Sequence, residues 1–288
     1  MNLWMLRERD GIESLGARVP LVEAPLYDSL TNKWSASQLF GSRGIRVPAL
    51  RTGFLSEALP LVAKPHRNLG AAGRMLYPWI IRSRHQLDVF LESENPDDYF
   101  PQELVRGDSF YLLLHLARNG RVTASSQRNI AQQAGGRSIV LAETSDFHCQ
   151  PVADRAITVL RDAGFRGLAM IEFLVDRSDA CFIEINPRAW GPLQLCLDHA
   201  SGIVESFLGD ELFDDETKFL ETADRRPKRA AYSWMGGWFD EWRARRPVHW
   251  CGGFRPPLSL RLRLLSGDVY LRRDTWRLTL SSEQSRAR

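Results

Sequence analysis

Two glutamates twelve residues apart carry the strongest chemical signal in the chain: Glu172, and Glu184 followed by Ile185, Asn186, Pro187 and Arg188. Both stand in apolar runs, 167–176 and 180–186, that read as the two strands of a hairpin. If residues 177–179 form the turn, Asp176 pairs with Ala180 and Glu172 falls opposite Glu184. Directly opposed residues share one sheet face, with Cβ atoms about 5 Å apart, and like charges placed so repel. Asn186 lies on that face too, whereas Ile171, Phe173, Ile183 and Ile185 face a core. A hard divalent cation is the simplest offset for the repulsion. Two carboxylates and an amide oxygen suit Mg2+, which leaves its other positions to water and phosphate oxygens. Arg188 then stands where a guanidinium can reach phosphate. Without a cation, the same residues read as a polar face whose glutamates splay into solvent.

Of 38 basic residues only Lys33, Lys64, Lys218 and Lys228 are lysines. Lys64 ends an apolar strand expected over 60–64, ahead of a loop (65–73) that contains Gly70 and Gly73. A point charge beside exposed backbone donors is what a phosphate requires; alone, a strand-end lysine is more often a solvated surface residue. Lys33 precedes a short helix expected over 35–43, stopped by Gly44 and followed by extended chain to residue 50. A further strand is expected over 100–105. Asn119-Gly120, flanked by 109–118 and 121–128, signals a second hairpin. Pro151 opens a helix whose apolar positions are Val152, Ala156, Val159, Leu160 and Ala163, closed by Gly164. Another helix is expected from Trp190 to about His199. Residues 1–30 show no regular pattern, with Pro20 and Pro25 as breakers. From residue 225 onward Arg, Trp, Gly and Pro dominate. Trp234, Trp238, Trp242 and Trp250 among arginines suggest a helix with a packed aromatic face. Arg261, Arg263, Arg272, Arg273 and Arg277 suggest a solvated sheet face. Mixed helices and antiparallel hairpins make the class α+β.

Glu172 with Glu184-Ile185-Asn186-Pro187-Arg188, continuing into Ala189-Trp190-Gly191-Pro192 and Ala200-Ser201-Gly202, resembles the metal-binding end of the ATP-grasp superfamily. The likeness is to its carboxylate–amine ligase branch, similar to the grasp domains of biotin carboxylase and carbamoyl-phosphate synthetase. It runs from about Lys33 to Gly209. The resemblance implies two α+β lobes clasping ATP, with Lys33 and Lys64 on its phosphates beside the Gly70–Gly73 loop. Gln102, Glu103, Leu104 and Val105 would form a hinge (102–107) whose backbone meets adenine, and Glu103 or Asp108 would meet the ribose. Glu172, Glu184 and Asn186 would hold Mg2+, or Mn2+ in its place, and Arg188 and Arg128 would face phosphate or substrate. Implied too is an ADP-forming reaction in which a carboxylate becomes an acyl phosphate and then joins an amine. The domain plan that follows is a short N-terminal segment (1–31), the grasp domain (32–224) and a C-terminal appendage (225–288). Two departures stand out. The phosphate loop carries Ala71 and Ala72 where the family favours glycine, and about thirty residues replace the usual front lobe. The alternative is therefore a weakly active or inactive ATP-binding module that needs a partner subunit, or a second copy, to complete its site.

Composition narrows the rest. A formal charge of +3 and 44% hydrophobic residues describe a globular chain with no basic field for nucleic acid. No apolar run approaches the ~18 residues of a membrane span. Cys149, Cys181, Cys196 and Cys251 are isolated, which fits a reducing cytoplasm and excludes a zinc ribbon. The P-loop and dinucleotide glycine motifs are missing, the histidines lack ligand spacing, and Gly107-Asp108-Ser109 lacks the Asp-x-x-His partner of a hydrolase.

Overall fold

The computed structural model describes residues 2–70, 73–177, 179–199, 201–212 and 229–253, together with Leu258, 268–270 and Thr275. In chain order the helices are α1 (Asn2–Arg7), α2 (Arg9–Ser14), α3 (Ala24–Thr31) and α4 (Lys33–Ser42), followed by strands β1 (Leu61–Pro65) and β2 (Trp79–Ile81). Then come α5 (Arg84–Ser93), β3 (Tyr99–Glu103), β4 (Asp108–Leu116), β5 (Val122–Gln132), β6 (Ile139–Ser145) and α6 (Pro151–Asp162). The chain continues through β7 (Gly167–Asp176), β8 (Asp179–Asn186), α7 (Leu193–His199), α8 (Ile203–Leu212), β9 (Ala231–Ser233), α9 (Met235–Arg243) and β10 (His249–Trp250).

Two antiparallel sheets result. The small one, β2-β1-β3, buries Leu61, Ala63 and Ile81 against Leu87 and Phe90 of α5. Alternation along β1 turns Val62 and Lys64 to the other side. The large one runs β8-β7-β4-β5-β6-β9, with β10 also paired to β5. Its apolar face is the main core. Leu112, Leu114, Ile171, Phe173 and Phe182 meet Phe40 of α4 and Ala153, Ala156 and Leu160 of α6. Phe40 stacks on Phe182 with centroids 4.1 Å apart. Its opposite face is partly covered by α7 and α8, through Leu113, Met170, Trp190, Cys196 and Ile203.

Gly44 stops α4 as expected, at φ +73°, but the helix starts at Lys33 instead of residue 35, because the Asn32 side chain caps it by accepting from the Ser35 amide at 3.1 Å. Three further expectations are corrected. Pro25 starts a helix instead of breaking one, because it sits in the first turn of α3, where no amide donor is needed. The helix expected from Trp190 starts at Leu193, after Gly191 and Pro192. The described part of the C-terminal segment is built into the large sheet: β9 pairs with β6, and β10 pairs with β5. Of the tryptophans expected on one packed helix face, Trp238 and Trp242 stand on α9, but only Trp238 packs and Trp242 is exposed, while Trp234 is its N-cap and Trp250 stands on β10. Arg261, Arg263, Arg272, Arg273 and Arg277, and likewise Ala71, Ala72 and Ala200, lie outside the described residues.

Candidate active site

The glutamate hairpin forms with Glu172 directly opposite Glu184 and Met170 opposite Asn186, but by a different route from the one the turn suggested. Asp176 pairs with Asp179, so the connection is one residue shorter than expected, and Arg177 takes φ +56°. A bulge restores the register, because Phe173 pairs with Phe182 and Ile183 is left over between the pairs. Ile183 therefore leaves the core, where Phe182 takes its place, and lines the cleft between the sheets. Its carbonyl accepts a 2.6 Å hydrogen bond from Lys64 Nζ.

The cleft encloses about 1860 Å3 and is lined by both lysines, both glutamates, Asn186 and Arg188. Lys33 reaches it because the first amide of α4 is tied to the small sheet, Lys33 N–H donating to the His66 carbonyl at 2.9 Å. Its ammonium donates to Asn68 Oδ1. Burial pushes both lysines below their ordinary pKa, against the opposing pull of Glu184. The two carboxylates divide unequally. Burial tends to raise Glu184, but Lys33 and Lys64, with an Asn186 Nδ2 contact at 3.3 Å, outweigh it and hold this carboxyl below the usual glutamate value. Glu172 is pushed up to about 7, by burial first and by Glu184 second. Its own support is Ser109, whose Oγ donates to Glu172 Oε1 at 2.8 Å. Ser109 Oγ accepts from Asn129 Nδ2 at 2.8 Å, and Asn129 Oδ1 accepts from Gln127 Nε2 at 2.7 Å. Tyr111, directly opposite Glu172 on β4, is raised well above the ordinary tyrosine value by burial and then by the two carboxylates. Nothing in the Glu172–Glu184 spacing points to Ser109, Tyr111, Gln127 and Asn129. Strand alternation around the Asn119-Gly120 turn is the signal that finds them.

The donor set fits a hard divalent cation. Two opposed carboxylates, one of them held high by burial and then by the other's charge, stand beside an amide, and no cluster of three or more His, Cys, Asp or Glu exists among the described residues.

The remaining expected residues separate. Gln102, Glu103, Leu104, Val105 and Asp108 line the cleft. Glu103 meets Arg46 at 3.4 Å, and Asp108 meets Arg128 at 2.9 Å, so both acids are already paired. Gly107 lets the connection pass close to β7: at φ +153°, a Cβ there would lie 2.6 Å from the Val175 carbonyl. Arg188 lines the cleft and donates to the Ala189 carbonyl at 2.7 Å. Gly70 and Gly73 do not line it; Gly70 packs against Leu76 and Asp98. Arg128 is not brought to the glutamates. It is opposite Phe110 on the core side of β5, one residue from Gln127 and Asn129, and a single step along a strand reverses the face. Among the described residues, no helix is long and apolar enough to cross a membrane.

Comparison with known proteins agrees with this architecture. Similar solved structures include Rhizobium etli pyruvate carboxylase, at 18% identity and TM-score 0.60 over 78% of this chain and 22% of that one. Biotin carboxylase from Campylobacter jejuni, in complex with an ATP analogue, gives 15% identity and TM-score 0.55 over 72% of this chain and 52% of the other. The L-amino acid ligase of Bacillus licheniformis gives 15% identity and TM-score 0.56 over 80% and 59%. The chain thus spans less than two thirds of each of these proteins. No curated protein sequence matches it. The ATP-grasp domain family matches residues 30–192, more than half of the sequence. The chain belongs to the ATP-grasp family.

Proposed function

We propose that the protein is an ATP-dependent ligase that activates a carboxylate as an acyl phosphate and joins it to an amine, releasing ADP and phosphate. The observation that carries this reading is the convergence of Lys33 and Lys64, from the small-sheet side, on Glu184 and Glu172 of the large sheet. Family membership supports nucleotide use, and two proteins of similar fold are named a carboxylase and an amino acid ligase. ATP would lie between the sheets, its adenine against residues 102–105 and its ribose at Glu103 or Asp108. Lys33 and Lys64 would bind phosphate oxygens. Glu172, Glu184 and Asn186 would hold Mg2+, or Mn2+, which supplies charge neutralisation at those oxygens. Arg188 would steady the transferred group. A carboxylate oxygen attacks the γ-phosphorus and ADP leaves; the amine then attacks the acyl carbon and phosphate leaves. Such chemistry asks the protein for positioning and electrostatics rather than covalent help.

Calorimetric titration with ATP, with and without Mg2+, tests the reading beside Glu184→Ala. Micromolar, Mg2+-dependent binding lost in the variant is expected, followed by ADP release with a matched acid and amine. No binding below millimolar would overturn it. A second reading, an ATP-binding module completed by another subunit, draws on Gly70 and Gly73 standing off the cleft wall. It predicts the same binding but no ADP release from any acid–amine pair.

A further inference from the structure

Around the two glutamates the polar side chains of the cleft face are committed to one another. Gln127 donates to Asn129, Asn129 to Ser109 and Ser109 to Glu172, while Asn186 Nδ2 lies 3.3 Å from Glu184. Tyr111 stands in the middle of this face, directly opposite Glu172 on β7 and Gln127 on β5, and its side chain lines the cleft. Its hydroxyl makes no hydrogen bond among the described residues and is not sealed off, so it opens into the cleft.

The ring is held from two sides. It packs against the cluster of Leu113, Met170 and Trp190, and against that of Ile139, Leu195 and Tyr232. Phenylalanine would fill the same space, whereas a hydroxyl in such surroundings costs free energy unless something accepts from it. At neutral pH a phenol is protonated and offers one donor.

The register fixes which side of the glutamates this donor occupies. Lys64 reaches the Ile183 carbonyl on β8, the strand that also carries Glu184. Glu172 is one strand further on and Tyr111 the next, in the order β8-β7-β4. Two strand spacings place Tyr111 about 10 Å from β8. Phosphates gathered by the lysines over β8 leave the phenol on the far side of the carboxylates, where a group meeting the γ-phosphorus has room to lie.

Resting on the ligase reading above, we infer that Tyr111 is a catalytic residue whose hydroxyl donates to the acyl oxygen of the acid substrate and steadies the oxyanion formed there when the amine attacks. The amine nitrogen bonds the acyl carbon, and the carbonyl π pair moves onto oxygen. That pair returns as the bond to phosphate breaks, and the amine's proton leaves with the phosphate. A fixed neutral donor stabilises the transient charge without being consumed.

The test uses the full chain with MgADP, acetyl phosphate as the acyl phosphate and hydroxylamine as the amine; acetohydroxamate is measured above the uncatalysed rate. Tyr111→Phe is expected to lower the catalysed rate about 100-fold. A binding arm needs no turnover: MgADP-loaded protein is titrated calorimetrically with acetylphosphonate, an acyl phosphate mimic that cannot transfer its phosphoryl group. Tyr111→Phe is expected to weaken that binding about fivefold, while circular dichroism and MgADP affinity stay unchanged. Tyr232→Phe, at another tyrosine of the cleft wall, is expected to alter neither rate nor affinity. Unchanged rate and affinity in folded Tyr111→Phe, equal losses in Tyr232→Phe, or no acetylphosphonate binding by the MgADP-loaded parent would each overturn the assignment. MgADP titration of the parent keeps the two readings apart. Its failure defeats the ligase reading itself, and its success beside any of those three results defeats the Tyr111 assignment alone.

Discussion

The two faces of the large sheet are built from the same strands to opposite ends. On the helix-covered face, Phe40, Phe173 and Phe182 stack into an apolar core. On the cleft face, the alternate residues of the same strands are Glu172, Glu184, Ser109, Asn129 and Gln127, a buried polar chain whose last acceptor, Gln127 Oε1, finds no partner. One face supplies stability, and the other draws on it. Unpaired polar atoms and opposed carboxylates cost free energy in the empty protein, and sites are where folds concentrate such costs.

Substitutions made two residues apart, on either side of Ile183, should expose this division. Phe182→Ala should cost about 4 kcal/mol of stability through the cavity it leaves, while nucleotide affinity of the folded fraction stays within about twofold; urea titration and calorimetry read the two effects. Glu184→Gln should lose on both counts. It strands two buried ammonium groups, lowering stability by about 3 kcal/mol, and it should weaken MgATP binding more than 100-fold. Unchanged stability in this variant would show that Lys33 and Lys64 do not depend on Glu184.

Glu172→Gln should behave oppositely to its neighbour across the hairpin. In the folded chain Glu172 titrates near 7, against an ordinary 4.5, so the folded state holds the extra proton between those values. Stability of the empty protein should therefore fall as pH rises from about 4.5 to 7, by about 2 kcal/mol. Glu172→Gln should remove that slope and be the more stable protein above pH 7, yet fail to bind MgATP. A flat profile in the parent protein would break the comparison. The smallest effect belongs to Ser109→Ala, which deletes one hydrogen bond to Glu172. About 1 kcal/mol and a threefold to tenfold weaker MgATP affinity are expected.

Much of this site was legible without coordinates, though not always for the reason that applies. Glu172 faces Glu184 as the spacing suggests, but two errors cancel: the turn is one residue shorter, and the Ile183 bulge gives the residue back. Bulges leave no periodic trace, so the Lys64–Ile183 contact was invisible. Arg128 was expected from the resemblance to face phosphate or substrate, yet strand parity puts Gln127 and Asn129, and not Arg128, on the sheet face that carries the glutamates, buried behind Ser109. The short N-terminal helices fall below the length at which periodicity shows. So do β9 and β10, whose pairing depends on distant strands rather than local propensity.

The pairing of β9 with β6 has a practical consequence for anyone shortening this chain. The family-matched span stops at residue 192, but the sheet is not closed until residues 231–233 are in place. A fragment ending at 192 would carry Ile139, Val140, Leu141 and Ala142 on an unpaired apolar edge, able to recruit the same strand from another molecule. Self-association of that fragment, with the full chain remaining dispersed, would mark the last described strands as the protein's guard against aggregation.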